Sequence, residues 1–145
     1  MSLRSESIAE YVISEGHALI LEKFVGEMTV DLVIATAESI WSQPEYKKTF
    51  KGLADLRSCN LAINLRDIIK LVMFLGKSDK TTTGFFVILV NSSDGVAKSL
   101  IFNSRIGSIM NLHVVSHLDS ALRHLAISRD AYEEILSQET IKVEM

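Results

Sequence analysis

The chain has 145 residues, 48% of them hydrophobic, which is enough for one domain with a real core and no metal or disulfide support. Fifteen basic residues against eighteen acidic ones leave a net charge of −3, which argues against a generally basic nucleic-acid binder. The lone cysteine, Cys59, excludes an intramolecular disulfide framework, and the longest apolar run, residues 85–90, is far short of the ~20 residues of a spanning helix.

Residues 11–14 and 17–25 read as strands joined by a two-residue turn, Glu15-Gly16, with Gly16 supplying the positive φ. Gly26 ends the second strand. Thr29 then caps a helix with Asp31 in its first turn and Val30, Val33, Ile34, Ala37, Ile40 and Trp41 at helical spacing, closed by Pro44. Residues 52–57 read as a third strand. Asn64 and Asp67 form a capping box for a second helix, whose stripe is Leu65, Ile68, Ile69, Val72 and Leu75 and whose end is Gly76-Lys77.

Residues 84–90 show no polar alternation, the mark of a central strand covered on both faces. The loop Asn91-Ser92-Ser93-Asp94-Gly95 leads into a third helix, and residues 111–115 form a fifth strand. Ser116 and Asp119 predict a capping box for a fourth helix bearing Leu118, Ala121, Leu122 and Leu125. Residues 130–138 read as a short amphipathic helix before an irregular tail. The order predicts an α/β fold: a single mixed β-sheet, an N-terminal antiparallel hairpin followed by parallel strands through right-handed crossovers, flanked by helices. It places the α/β domain at residues 1–127 and a C-terminal helix and tail at 128–145.

Four segments carry a family resemblance: Gly26-Glu27-Met28-Thr29, Gly52-Leu53-Ala54-Asp55-Leu56-Arg57, Asp94-Gly95-Val96-Ala97-Lys98 after the apolar strand, and residues 113–122. Together they resemble the STAS domain superfamily, in its SpoIIAA-like branch of small bacterial proteins, over about residues 10–125. The resemblance implies a four-to-five-stranded mixed sheet with helices and a role in binding rather than turnover. Better-known relatives antagonise anti-sigma factors and are switched by serine phosphorylation, and some members of the wider fold group resemble Sec14-type proteins that hold apolar ligands. The antagonists carry an Asp-Ser-Ser-Gly-like motif at the helix after the third strand. Here that stretch is Ile63-Asn64-Leu65-Arg66-Asp67, which offers no hydroxyl, and the nearest serine is Ser58.

Asp55 and Arg57, two apart on a strand, share one face near its carboxyl end, where ligands gather in open α/β sheets. With Ser92, Ser93, Asp94 and Lys98 they form either a small polar ligand or partner site, or an ion pair beside a capped helix. His113 and His117 lie roughly 13 Å apart if the chain between them is extended, too far for one zinc, so no metal is expected. Cys59 has neither a neighbouring base nor a CxxC partner, and no GxSxG, GxGxxG or GxxxxGK[ST] motif occurs. Tyr46-Lys47-Lys48-Thr49-Phe50-Lys51 mixes aromatic and basic residues, and in an acidic chain it reads as a solvated loop rather than a nucleic-acid contact.

Leu32, Leu71, Met73, Phe74 and Tyr132 exceed one buried stripe per helix and point to a two-fold dimer interface or an apolar pocket. Residues 1–10 show no signal-peptide core, so a cytoplasmic protein without stable membrane insertion is expected. The resulting expectation is a non-catalytic, cofactor-free module of a bacterial cytoplasm that binds an unidentified protein partner. The alternative is a carrier of a small apolar or lipid-like ligand.

Overall fold

The computed structural model describes residues 6–145, so the reading of residues 1–10 as free of a signal-peptide core falls in part outside the described residues. Among those residues the protein is an α/β fold with one mixed six-stranded sheet. β1 (Ser7–Ser14) and β2 (Leu19–Met28) form the antiparallel hairpin. β3 (Lys51–Leu61), β4 (Phe85–Leu89) and β5 (Asn111–Val115) follow in parallel. The strand order is β5-β4-β3-β2-β1-β6, with β6 (Ile141–Glu144) antiparallel to β1.

From β2 to β5 every crossover steps in the same direction. Right-handed connections therefore place α1 (Val30–Ser42), α2 (Leu65–Lys77) and α3 (Ser93–Ile106) together on one face. The opposite face is covered by α4 (Leu118–Leu125), which lies on β4, and α5 (Arg129–Leu136), which lies on β1. Each face has its own apolar cluster. Phe24, Leu56 and Ile88 of the strands pack with Ile68 of α2 on the first face, while Leu21, Leu53 and Leu89 pack with Leu122 of α4 and Ile135 of α5 on the second. Strand β4 contributes to both, which explains its unbroken apolar sequence.

Local signals set most helix starts. Thr29 Oγ1 accepts the Leu32 N–H, Ser92 Oγ accepts the Gly95 N–H, and Asn64 and Asp67 form the reciprocal capping box at 2.9 Å in both directions. The fourth helix departs from expectation: its cap is His117 with no side-chain bond, because the helix starts one residue beyond the Ser116-Asp119 register.

The hairpin turn also differs. It spans four residues, with the Ala18 N–H donating to the Glu15 carbonyl, and Ala18 rather than Gly16 takes the positive φ, 51°. Gly26 does not end β2. It sits inside the strand at φ 82°, where a Cβ would collide with the Glu6 carbonyl that accepts the Glu27 N–H. β3 runs four residues past the expected Arg57, to Leu61.

The tail is ordered as well: after α5, capped by Ser128, the chain crosses to the far edge and pairs as β6 with β1. Tyr132 and Ile135 of α5 are buried in the same cluster as Leu21 and Leu53, so residues 128–145 share the core of the rest of the chain. We expect Ile135→Ala to cost about 2–5 kcal/mol in one cooperative urea transition. An appended helix would give a near-neutral change or a separate early transition.

Candidate functional site

The structure divides the predicted polar group between the two faces of the sheet. Lys23 faces Asp55 across the β2–β3 ladder but Val25 faces Ser58, so β3 carries one extra residue there. The bulge frees the Arg57 N–H, which donates to Asp55 Oδ1 at 3.0 Å. The same carboxylate accepts Arg57 Nε at 3.0 Å and Nη2 at 2.8 Å. Asp55 follows Leu53 on the face covered by α4 and α5, where Tyr132 of α5 is buried beside the pair. Burial would raise the Asp55 carboxyl, but the hydrogen bonds and charge of Arg57, with Lys23 beyond, outweigh it and hold the group below the usual carboxylate range.

Ser92, Ser93, Asp94 and Lys98 belong to α3 on the other face. Lys98 Nζ bonds the Leu61 carbonyl at 2.7 Å and Asp94 at 3.0 Å, and the Ser92 hydroxyl is taken up by the helix cap.

The predicted apolar residues also separate. Leu32 is fully buried and Tyr132 nearly so, on opposite faces. Leu71 points inward from α2, and Phe74 stacks on Trp41 with ring centroids 5.3 Å apart, joining α2 to α1. Met73 stays 54% exposed. His113 stacks between Phe85 and His124, and among the described residues no cluster could hold a metal. In the 46–51 segment Phe50 is buried and the Lys51 ammonium is held by the Leu125 carbonyl. Burial and the Asp55 charge push the Cys59 thiol up to about 11, a poor setting for a thiolate.

Of the five residues from which the sequence suggested an apolar pocket, only Leu71 lines the cavity that the structure holds, about 150 Å³ between the sheet and α1, α2 and α3. Its floor is Glu22 and Phe24 of β2, Ala54 of β3, and Phe86 and Ile88 of β4. Register makes this a row, since Glu22 pairs with Ala54 and Ala54 with Ile88. The roof is Ile68, Leu71 and Leu75 of α2, whose close backbone neighbours are chiefly α1 and α3 rather than the strands. Ala54 projects only a single methyl into this floor, and beside it the Phe86 ring occupies the place where a Cβ on Gly52 would be.

Most polar groups along the wall are engaged. The Thr81 hydroxyl donates to the Leu75 carbonyl, Thr82 to Phe50, and Tyr46 to the Lys80 carbonyl. Two are not. Ser99 Oγ, on a residue only 3% exposed, has no hydrogen-bond partner among the described residues. Glu22, half-buried, lines the cavity, and burial of its carboxylate pushes its pKa from the ordinary 4.5 to about 7, with no compensating donor or cation among the described residues. Its signal in the sequence was a carboxylate inside the apolar strand Leu19-Ile20-Leu21-Glu22-Lys23-Phe24.

Among the described residues no helix is long and apolar enough to cross a membrane. No protein-family model, curated protein or solved structure matches the chain.

The two carboxylates predict opposite pH responses. Asp55, with its lowered pKa, stabilises the fold above the ordinary carboxylate range and loses that contribution as pH falls. Glu22 holds its proton in the fold while the unfolded chain releases it, so stability falls as pH rises from 4.5 to about 7. Glu22→Gln should therefore match the wild type near pH 4 and exceed it by roughly 3 kcal/mol at pH 8 in urea melts. Equal stabilities at pH 8 would refute the buried placement. Arg57→Ala should cost about 1–2 kcal/mol at pH 7, moderated by the partly open guanidinium, because the buried Asp55 loses its partner.

Proposed function

We propose that the protein is a non-catalytic binding module that holds a small apolar molecule in the cavity beneath α2. The observation that carries this reading is the pairing of an apolar cavity of about 150 Å³ with two polar side chains on its wall that have no hydrogen-bond or ion-pair partner among the described residues. Purely apolar cavities of this size stay dry and accept benzene-sized guests, and ligand pockets characteristically add a few polar groups to an apolar wall. A turnover role is less well supported. The Cys59 thiol is held protonated and Asp55 is tied to Arg57, so no nucleophile–base pair is at hand. The Sec14-like alternative of the fold resemblance fits this reading, and a bacterial cytoplasmic setting is part of the proposal.

A second reading, a protein-binding module of the kind the STAS resemblance implies, draws on α2. Leu65, Ile69 and Met73 are exposed there at four-residue spacing, and Leu100 and Ile101 of the adjoining α3 are exposed too. Such a patch suits a second copy of the chain packed across a two-fold axis. If so, sedimentation should show a dimer that Ile69→Lys converts to a monomer, and a wild-type monomer at all concentrations would remove this reading.

For the cavity, ethylbenzene in excess should raise the melting temperature of the wild type by mass action. Ala37→Leu, which fills the α1 wall, should abolish that rise while stabilising the unliganded protein by about 0.5–2 kcal/mol. An unchanged wild-type melting temperature at saturating ethylbenzene would sink the proposal.

A further inference from the structure

A cavity that takes only hydrocarbon has no use for a carboxylate. Here one stands on the floor, at the centre of the row Tyr11–Glu22–Ala54, facing the helices. The charged and titratable groups around it are few. The Tyr11 hydroxyl bonds Ser39 and accepts from Gln43, and the Tyr46 hydroxyl donates to the Lys80 carbonyl. Lys98, the one cation on the wall among the described residues, is held by Asp94 and the Leu61 carbonyl. Among the described residues no cation on the wall is thus free to pair with Glu22, and an anionic ligand head there would meet a like charge.

The rest of the wall favours a cation. Trp41, Tyr46, Phe86 and Phe102 line the same cavity, and the electron-rich faces of aromatic rings attract ammonium groups, most strongly away from water. Ser99 Oγ, buried and without a partner on α3, is an additional acceptor for an N–H.

Resting on the reading of the cavity as a ligand site, we infer that the ligand class is small apolar amines, with the ammonium paired to the Glu22 carboxylate and its hydrocarbon against Trp41, Phe86 and the α2 roof. The volume limits the hydrocarbon to about the size of one benzene ring. The amine also answers the chemistry of the empty protein. Its charge restores the ionised form of a carboxyl that burial otherwise holds protonated, so binding strengthens as pH rises through 7.

Benzylamine and ethylbenzene, equal in heavy atoms and differing in one charged group, test this by titration calorimetry on the full chain. Benzylamine should bind the wild type more tightly than ethylbenzene at pH 8. Glu22→Gln should weaken benzylamine about 10- to 100-fold and leave ethylbenzene unchanged. Ser99→Ala should weaken benzylamine by about 2- to 10-fold. The rise in benzylamine affinity between pH 5 and pH 8 should vanish in Glu22→Gln. Binding of ethylbenzene but not benzylamine, or an equal effect of Glu22→Gln on both, would overturn the amine assignment and leave the apolar cavity standing. Binding of neither probe to the wild type would overturn both.

Discussion

The handedness of three successive crossovers governs the molecule. Because β2, β3, β4 and β5 advance one place at a time across the sheet, right-handed connections leave α1, α2 and α3 no choice of face. Three helices must then sit side by side over a twisted sheet, with α2 between its neighbours. Held by α1 and α3, and by the Trp41–Phe74 stack, α2 rests above the strands rather than in their grooves. The cavity over Ala54 is a consequence of that support. The same rule leaves the other face bare until the chain has passed β5. The C-terminal segment therefore has to return across it, and α4 and α5 bury Leu122, Leu125 and Ile135 as they carry the chain back to β6.

The space beneath α2 has an energetic meaning, because its lining forgoes the contacts that a filled interior would make. Ala54 of β3, at a position where a β-branched residue would ordinarily be preferred, forgoes apolar burial beneath α2. Glu22 and Ser99 add the cost of polar groups left without partners. Local departures of this kind, concentrated in one place within an otherwise consistent sequence, are the pattern expected where a fold gives up stability for a site.

Much of the frame could be read from the residues alone. Capping pairs such as Asn64 and Asp67, the apolar run of β4 and the single proline mark elements through short-range chemistry, and these the structure reproduces. What escaped depended on distant partners. The four residues of β6 alternate β-branched and charged side chains, but so short a run becomes a strand only because β1 presents a free edge. The long β3 required the bulge at Arg57, where Asp55 supplies the acceptor that β2 does not. The Asp55–Arg57 bond was legible from spacing, but its separation from Ser92 and Lys98 was not, because alternation on a strand tells only which residues share a face and not which helix covers it. The cavity was least legible of all, since it follows from the height of α2.

The contrast between Asp55 and Glu22 shows how little separates a structural carboxylate from a receptive one. They lie on neighbouring strands one ladder position apart, with side chains on opposite faces, and both are withdrawn from water. For Asp55 the chain provides a guanidinium two residues away, and three hydrogen bonds engage both oxygens and offset the charge. For Glu22 the adjacent residue is Lys23, but strand alternation sends that ammonium to the other face, where Asp55 feels its charge. A one-residue offset thus directs the available cations, Lys23 and Arg57, to one side of the sheet and leaves the other carboxylate uncompensated. The charge missing on that side is the one a ligand would have to bring.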